Sequence, residues 1–347
     1  MVFLLLIALS CRPQVATVPL HCHDAQTTRL TTDDGAEIVL HRHPAEGPPV
    51  IVVHGIASNH RSWDLTEDRS LAEALQHAGM DAWLLNLRGH GEAMMRTDGT
   101  QQRHGWSLDD YGAHDLHTAI THVQKVRSNQ KVAVVGHSMG GMVAAVYNGH
   151  HGDDALSALV VVGSPINFAD RDLLINLGTA AMRMGTLWPS MGIQIGAGIL
   201  GQLPGQLPIH GEGILFNPRN MHPTVRAHML QAVVSPVSRE EMKQFNQIFS
   251  QQQFTSVDGT KNYARALKEL EVPLLAIAGS ADKIVSPHRV EPWTHAVSSE
   301  DTTYIEAGIS TGFSADYGHL DLILGDAASA EIHTPIVNWL GAHTTTD

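Results

Sequence analysis

Apolar residues form two kinds of pattern along this chain, and the two kinds alternate. Short runs rich in Val, Leu and Ala, some continuous and one loosely alternating, predict strands over Ala36–His43, Pro49–Gly55, Asp81–Gly91, Lys131–Ser138, Ala155–Pro165, Pro273–Gly279 and Asp301–Glu306. Apolar residues at helical spacing predict helices over Leu71–Gly79, Ser107–Val126, Met139–Gly149, Pro223–Val234, Ser238–Gln251, His288–Val297 and Ala327–Leu340. Strands and helices that alternate with short connections predict an α/β domain with a mostly parallel sheet flanked by helices.

The alternation is interrupted once. Residues 166–263 show no buried strand, hold many Met, Gly and Pro residues, and contain two helical patches. We interpret this stretch as a mostly helical cap, inserted after the strand near residues 156–163. The remaining parts, residues 27–165 and 264–347, then form one sheet domain.

The first residues predict export. Val2–Leu9 is an apolar run too short to span a bilayer, and it leads into Ser10-Cys11. This pattern is typical of a signal segment and resembles a lipoprotein signal, in which the cysteine is lipidated. Residues 1–11 are therefore predicted to be a signal or lipoprotein-like segment, residues 12–26 a linker, and Cys11 a membrane anchor. No Lys or Arg precedes the run, and Ala8 stands where leucine is usual, so a short apolar tail is the alternative.

Composition excludes some classes of partner. The formal net charge is −13, and no cluster of Lys and Arg offers a basic face, so we do not expect a nucleic-acid partner. The chain has 23 histidines, but no carboxylate or cysteine pattern completes a zinc site around the pairs His21/His23 and His41/His43. We therefore predict no metal and no cofactor. The two cysteines, Cys11 and Cys22, could form a disulfide if Cys11 is not lipidated.

A serine stands between small residues where a buried strand meets a helix. Gly136-His137-Ser138-Met139-Gly140 fits the pattern G-x-S-x-G, in which the glycines let the chain turn sharply and raise the serine above the sheet. The helix that follows presents its free N–H groups there, which favours negative charge. This context predicts that Ser138 is a nucleophile.

A serine nucleophile needs a base, and the base needs an orienting acid. His319 follows the last strand and Asp282 follows the strand before it, which gives the chain order Ser138, Asp282, His319. Asp282 could instead cap the next helix, with Asp316 or Asp321 taking its place as the acid. His54 and His137 are interpreted as structural.

Several motifs in this order resemble those of the serine α/β-hydrolases, in the capped branch that contains lipases and esterases. The resemblance covers Ala36 to Leu340 and rests on VVHGIASNHRSWD, NLRGHG, GHSMGG, GSADKIVSP and YGHLDLILG. It implies the α/β-hydrolase fold, and an oxyanion hole formed by the backbone N–H groups of Met139 and of Ile56, or of Ala57 instead. YGHLDLILG is also similar to polyhydroxyalkanoate synthases, but their nucleophile is a cysteine, and serine favours hydrolysis.

The expected function is hydrolysis of carboxylic esters, small molecules with medium or long acyl groups, through an acyl-enzyme. The segment Leu177–Leu215 is apolar and rich in methionine, which predicts a pocket for apolar acyl groups. The alternative is that these residues only pack the cap onto the sheet. The alternatives are an acyltransferase and a non-catalytic binding module on the same fold, and a C–C bond hydrolase or a peptidase fits the same residues.

Overall fold

The computed structural model describes residues 25–102, 105–168 and 212–344, together with Leu187, Ser190, Met191 and Ala197. In these residues one sheet has eight strands: β1 Gln26–Thr31, β2 Glu37–His43, β3 Pro49–Val53, β4 Asp81–Asn86, β5 Val132–His137, β6 Leu156–Val162, β7 Leu274–Gly279 and β8 Thr302–Ala307. Their spatial order is β1-β2-β4-β3-β5-β6-β7-β8. The two strands at one edge, β1 and β2, run antiparallel to their neighbours, and the other six run parallel.

Helices connect the strands. The longer ones are α1 Leu71–His77, α2 His117–Val126, α3 Met139–His151, α4 Pro223–Ala232, α5 Arg239–Gln251 and α6 Thr334–His343. Short α-helical turns span Leu108–Asp110, Glu212–Leu215, Tyr263–Ala266, Pro287–Val290, Trp293–Ala296 and Asp321–Leu324, and π-helical turns span Tyr111–Leu116 and Ser329–His333. Turns of 3-10 helix span His60–Ser62, Glu67–Arg69, Gly91–Met94, Leu267–Glu269 and Ile309–Thr311. A two-residue strand, Ser190–Met191, pairs with Val237–Ser238.

The core lies on both faces of the sheet, as the continuous apolar strands predict. In β3, Ile51 and Val53 belong to the cluster on one face, whereas Val50 and Val52 belong to the cluster on the other. All residues of β3, β4 and β5 are buried. The predicted mostly parallel sheet with flanking helices is therefore confirmed.

Three local predictions differ from the structure. β1 was missed, because QTTRLT is polar and its edge position leaves it partly exposed. The predicted strand Asp81–Gly91 ends at Asn86, before the left-handed glycines Gly89 and Gly91. The predicted helix His288–Val297 is instead two short helical turns separated by Glu291 and Pro292.

Part of the chain between β6 and β7 can be described. We call residues 212–263 the inserted segment; it contains α4 and α5, close to the two helices predicted there. The predicted boundaries of the insertion, 166 and 263, stay a prediction, because most of residues 169–211 lie outside the described part. None of the helices in the described residues has the length and apolar character needed to cross a bilayer.

A buried polar chain joins the inserted segment to the sheet domain. Glu241 of α5 accepts a hydrogen bond from the Tyr111 hydroxyl at 3.0 Å, and Tyr111 lies 3.0 Å from His90 Nε2. His90 Nδ1 in turn donates to the carbonyl of Ser58, in the loop after β3, at 2.8 Å. Glu241 is fully buried, and burial raises its pKa to about 7.

Candidate active site

Ser138 occupies a strained turn between β5 and α3. Its φ of 53° and ψ of −117° are rare for a residue with a side chain. The glycines around it permit a very close approach of the backbones: a Cβ on Gly136 would lie 2.4 Å from the carbonyl carbon of Gly140, and a Cβ on Gly140 would lie 2.5 Å from the Val53 carbonyl oxygen. The turn therefore depends on the absence of these side chains.

The structure brings Ser138, His319 and Asp282 together in one hydrogen-bonded series. His319 Nε2 lies 2.9 Å from Ser138 Oγ, and His319 Nδ1 lies 2.7 Å from Asp282 Oδ2. All three residues are buried, at 4 to 6% relative exposure. In this series Asp282 accepts the Nδ1 proton, which leaves Nε2 facing the serine oxygen.

Asp282 is fixed by its own loop. Its Oδ1 accepts hydrogen bonds from the backbone N–H groups of Ile284 and Val285, each at 2.8 Å, so only Oδ2 is turned towards His319. The carboxylate thus also orders the turn that follows, which is the capping role considered as its alternative. Of the other two candidates for the acid, Asp316 accepts from Ser280 and Ile309, and Asp321 accepts from residues other than His319.

The turn after β3 lies beside the nucleophile. A Cβ on Gly55 would lie 3.2 Å from Ser138 Cβ, and Ile56 is the next residue of this turn. His54 Nδ1 donates to the Gly55 carbonyl at 2.8 Å, while its Nε2 accepts from the backbone N–H of Leu87 at 3.3 Å. Burial lowers the pKa of His54 well below its usual range, so the ring is neutral. The predicted roles of Ile56 and Met139 as oxyanion donors stay predictions.

Asn59, in the same loop, binds the inserted segment. Its amide nitrogen lies 2.9 Å from the carbonyl oxygens of Ala232 and Val233, at the end of α4, and 3.3 Å from Ser235 Oγ. Its amide oxygen accepts from the Arg61 backbone N–H at 3.0 Å. These carbonyls have no partner within the helix, and the Asn59 amide therefore caps the C-terminal end of α4.

The loop of His319 is attached to the inserted segment as well. Asp321 Oδ1 accepts from the backbone N–H of Asn217 at 3.0 Å, and Oδ2 accepts from Asn220 Nδ2 at 2.9 Å and from the Gly318 N–H at 3.0 Å. Asp321 is fully buried, and burial raises its pKa. Sequence reasoning missed both attachments, since nothing in one sequence pairs Asn59 with Ala232 or Asp321 with Asn217.

A second group of titratable side chains lies away from Ser138. Glu92 Oε2 is 3.2 Å from His41 Nε2 and 3.5 Å from His60 Nδ1. The Asn86 amide nitrogen lies among these three atoms, 2.6 Å from the carboxylate oxygen. The two imidazole rings are stacked with centroids 3.8 Å apart. The ligand atoms of His41, His60 and Glu92 lie within 4.8 Å of one another, a spacing that a metal ion could use.

Some predicted features lie outside the described residues. These are the N-terminal segment with Cys11 and Cys22, and the proposed acyl pocket residues Met182, Met184, Trp188, Ile193, Ile195, Ile199 and Leu200. Of the apolar residues of Leu177–Leu215 that the structure describes, Leu187, Ile214 and Leu215 are exposed, and the backbone of Met191 pairs with Val237.

Comparison with known proteins gives one family and several similar folds. A family model described as serine aminopeptidase, S33, matches residues 48–307, about three quarters of the chain. A probable lipase of Schizosaccharomyces pombe is 28% identical over 148 residues, which is 38% of this chain and 32% of that protein. The chain thus aligns with about a third of the length of this curated relative.

Solved structures resemble nearly the whole chain. A thermophilic esterase from Thermogutta terrifontis, with malate bound, has a TM-score of 0.62 at 20% identity and covers 92% of this chain and 100% of its own. A soluble variant of monoglyceride lipase from Saccharomyces cerevisiae, in complex with a substrate analogue, also has a TM-score of 0.62, at 16% identity, and covers 95% of this chain and 98% of its own. At such identities the likeness establishes the fold alone, and that fold is the one predicted from the sequence.

The close backbone approach predicts the effect of one alanine. Gly140→Ala places a Cβ 2.5 Å from the Val53 carbonyl oxygen, which forces β3 or α3 to move. We expect the free energy of unfolding to fall by about 1–3 kcal/mol or more. Chemical denaturation of the purified variant measures this change.

Gly341→Ala is the matched control, because Gly341 is also helical but exposed, and a Cβ there would meet Met80 at 3.5 Å, an ordinary contact. It should leave stability unchanged or raise it by up to about 1 kcal/mol. Equal effects of the two substitutions would contradict the packing argument.

Proposed function

Because this chain belongs to the α/β-hydrolase family described as serine aminopeptidase, S33, we propose that it is a lipase/esterase-like serine hydrolase that cleaves carboxylic esters. The observation that carries this proposal is the series of hydrogen bonds from Ser138 through His319 to Asp282. A hydroxyl, an imidazole and a carboxylate in this order supply a nucleophile, a base and an orienting acid.

The first half of the proposed reaction forms an acyl-enzyme. His319 Nε2, 2.9 Å from Ser138 Oγ, takes the hydroxyl proton as the oxygen attacks the ester carbonyl carbon. Asp282 stabilises the imidazolium that results, through its hydrogen bond to Nδ1. His319 then gives the proton to the departing alcohol, and the acyl group stays on Ser138.

The second half uses the same groups on water. His319 takes a proton from a water molecule, which attacks the acyl carbon, and Ser138 leaves with the proton that His319 returns. Both halves pass through a tetrahedral intermediate whose oxygen is negative. We propose that the backbone N–H groups of Met139 and Ile56 stabilise this oxygen; removing one such donor costs about 3 kcal/mol in enzymes of this kind. The N-terminal end of α3 favours the same charge.

We propose that the substrates carry apolar acyl groups. The relative named a probable lipase and the structural neighbours named an esterase and a monoglyceride lipase support ester substrates. The apolar composition of Leu177–Leu215 supports a pocket without charges. A hydrolase that acts on peptides or on charged esters would need polar groups to receive them, and this segment has few.

Export and lipid attachment at Cys11 remain part of the proposal, supported by the apolar run that ends in Ser10-Cys11. In the native host, the mature protein should then begin with a modified Cys11 and partition into detergent. Mass spectrometry of the mature N-terminus tests this, and an intact Met1 would contradict it.

Replacement of the nucleophile tests the activity. Ser138→Ala should lower the turnover of a p-nitrophenyl acyl ester by about 10⁴-fold or more, and abolish labelling by a fluorophosphonate, because Ser138 supplies the hydroxyl that is hydrogen-bonded to His319. Circular dichroism and the thermal midpoint should remain those of the wild type.

Asp282→Asn should cost a similar factor in kcat, since the ring tautomer is lost, while Asp316→Asn, the matched control, should keep activity within about tenfold.

Substantial turnover by Ser138→Ala would contradict the mechanism. A wild type that fails to react with the fluorophosphonate would favour a binding module, and transfer to added alcohols that outcompetes hydrolysis would favour an acyltransferase.

A series of acyl lengths tests the substrate class. From acetate to palmitate, kcat/KM of the purified enzyme should rise beyond butyrate, because each additional buried CH₂ contributes about 0.8 kcal/mol. An optimum at acetate with no turnover beyond butyrate would show that no long apolar pocket is present.

A further inference from the structure

The backbone of the nucleophile is attached to the end of β6 at two points. The Ser138 N–H donates to the Val162 carbonyl at 2.8 Å, and the Ser138 carbonyl accepts from the hydroxyl of Ser164 at 2.5 Å. The first contact continues the ladder between β5 and β6. The second contact does not belong to any ladder and comes from a side chain, so the identity of residue 164 matters.

The Ser138 carbonyl and the Met139 N–H belong to the same peptide unit. The structure has no cis peptide in its described residues, so these two groups point in opposite directions. A donor that holds the carbonyl therefore also sets the direction of the N–H, which is the proposed donor to the oxyanion. We propose that Ser164 is a positioning residue for the oxyanion hole, a role that rests on the proposed function.

The environment makes this hydrogen bond effective. Ser164 is fully buried, so water does not compete for the carbonyl. A hydrogen bond to the carbonyl also polarises the peptide unit, which strengthens the opposite N–H as a donor. The same carbonyl also accepts bonds from the first turn of α3, and that from the Gly141 N–H is longer, at 3.2 Å.

The second proposed donor is held in the same way. The Ile56 N–H shares its peptide unit with the Gly55 carbonyl, which accepts from His54 Nδ1 at 2.8 Å. In each of the two peptide units that supply a proposed oxyanion donor, the carbonyl thus accepts a hydrogen bond from a buried side chain, Ser164 in one and His54 in the other. Because the same arrangement occurs at both peptides, we infer that the Ser164 hydrogen bond sets the direction of the N–H group and does not only contribute to stability.

Ser164 is itself firmly placed, and its site admits little else. Gly163 turns the chain with φ 55° and donates to the Ile277 carbonyl at 2.8 Å. The Trp293 indole N–H donates to the Ser164 carbonyl at 2.9 Å. A Cβ on Gly141 would lie 2.2 Å from Ser164 Oγ, so the hydroxyl fills the space that the glycine leaves.

The expected kinetic effect follows from the reaction. Both acylation and deacylation pass through an oxyanion, whereas the ground-state ester carries no such charge. Loss of the hydroxyl should therefore lower kcat and leave KM nearly unchanged. The contact between His319 and Asp282 is untouched, so the pH at which kcat/KM falls to half its plateau should not move.

The experiment compares Ser164→Ala and Ser164→Cys with the wild type. We expect kcat for a p-nitrophenyl ester to fall about tenfold in Ser164→Ala, part of the 10²–10³ lost when a whole oxyanion donor is removed. KM should stay within about twofold, and Ser164→Cys, a weaker donor of similar size, should fall between alanine and wild type. The inhibition constant of an alkyl trifluoromethyl ketone, which binds Ser138 as an oxyanion, should rise by the same factor as kcat falls.

Ser157→Ala is the matched control, because Ser157 lies in β6 and its buried hydroxyl has no hydrogen-bond partner among the described residues. It should keep kcat, KM and the inhibition constant within about twofold. Thermal midpoints of all variants are measured, so that rates are compared well below unfolding. If Ser164→Ala does not fold, Ser164→Cys decides.

Two outcomes would overturn the role of Ser164. One is a kcat within twofold of wild type in both Ser164 variants, and the other is a loss carried by KM alone. Either result, with turnover that still depends on Ser138, leaves the proposed function intact. A wild type without Ser138-dependent turnover would instead overturn the proposed function, and the role of Ser164 with it.

Discussion

The left-handed backbone of Ser138 is the constraint on which the rest of the site depends. A residue with a side chain adopts φ 53° only where its surroundings hold it there. The surroundings are Val162 and Ser164 on one side and the carbonyl of Val53, against Gly140, on the other. The ends of three neighbouring strands, β3, β5 and β6, thus lie around the turn that contains Ser138. The parallel sheet brings these ends together.

The base and the acid are connected to Ser138 by two short hydrogen bonds. His319 reaches Ser138 from the loop after β8, and Asp282 reaches His319 from the loop after β7. Both loops stand at the carboxyl ends of adjacent parallel strands, which is where such sheets gather their functional groups. A backbone hydrogen bond from the Ala281 N–H to the Tyr317 carbonyl, at 2.9 Å, joins the loop of the acid to the loop of the base.

How far the sequence predicts this arrangement depends on the range of the interaction. The sheet and the order Ser138, Asp282, His319 could be predicted, because buried parallel strands leave continuous apolar runs and the nucleophile turn has a local signature. β1 could not, because an edge strand needs no apolar pattern. The contacts of Asn59, Ser164 and Asp321 were missed for a different reason: each involves a backbone group distant in sequence, and backbone groups carry no signature.

The attachments of Asn59 and Asp321 also bear on how this protein could be re-engineered or could diverge. Two side chains of the sheet domain bind the inserted segment. Asn59, in the loop after β3, binds the end of α4, and Asp321, next to His319, binds Asn217 and Asn220. It is therefore not an interchangeable module. An insertion transplanted from a relative would leave the Asn59 amide and the Asp321 carboxylate buried without their partners, unless the two loops were transplanted with it. Changes of specificity through this segment are thus confined to its parts that do not touch those loops.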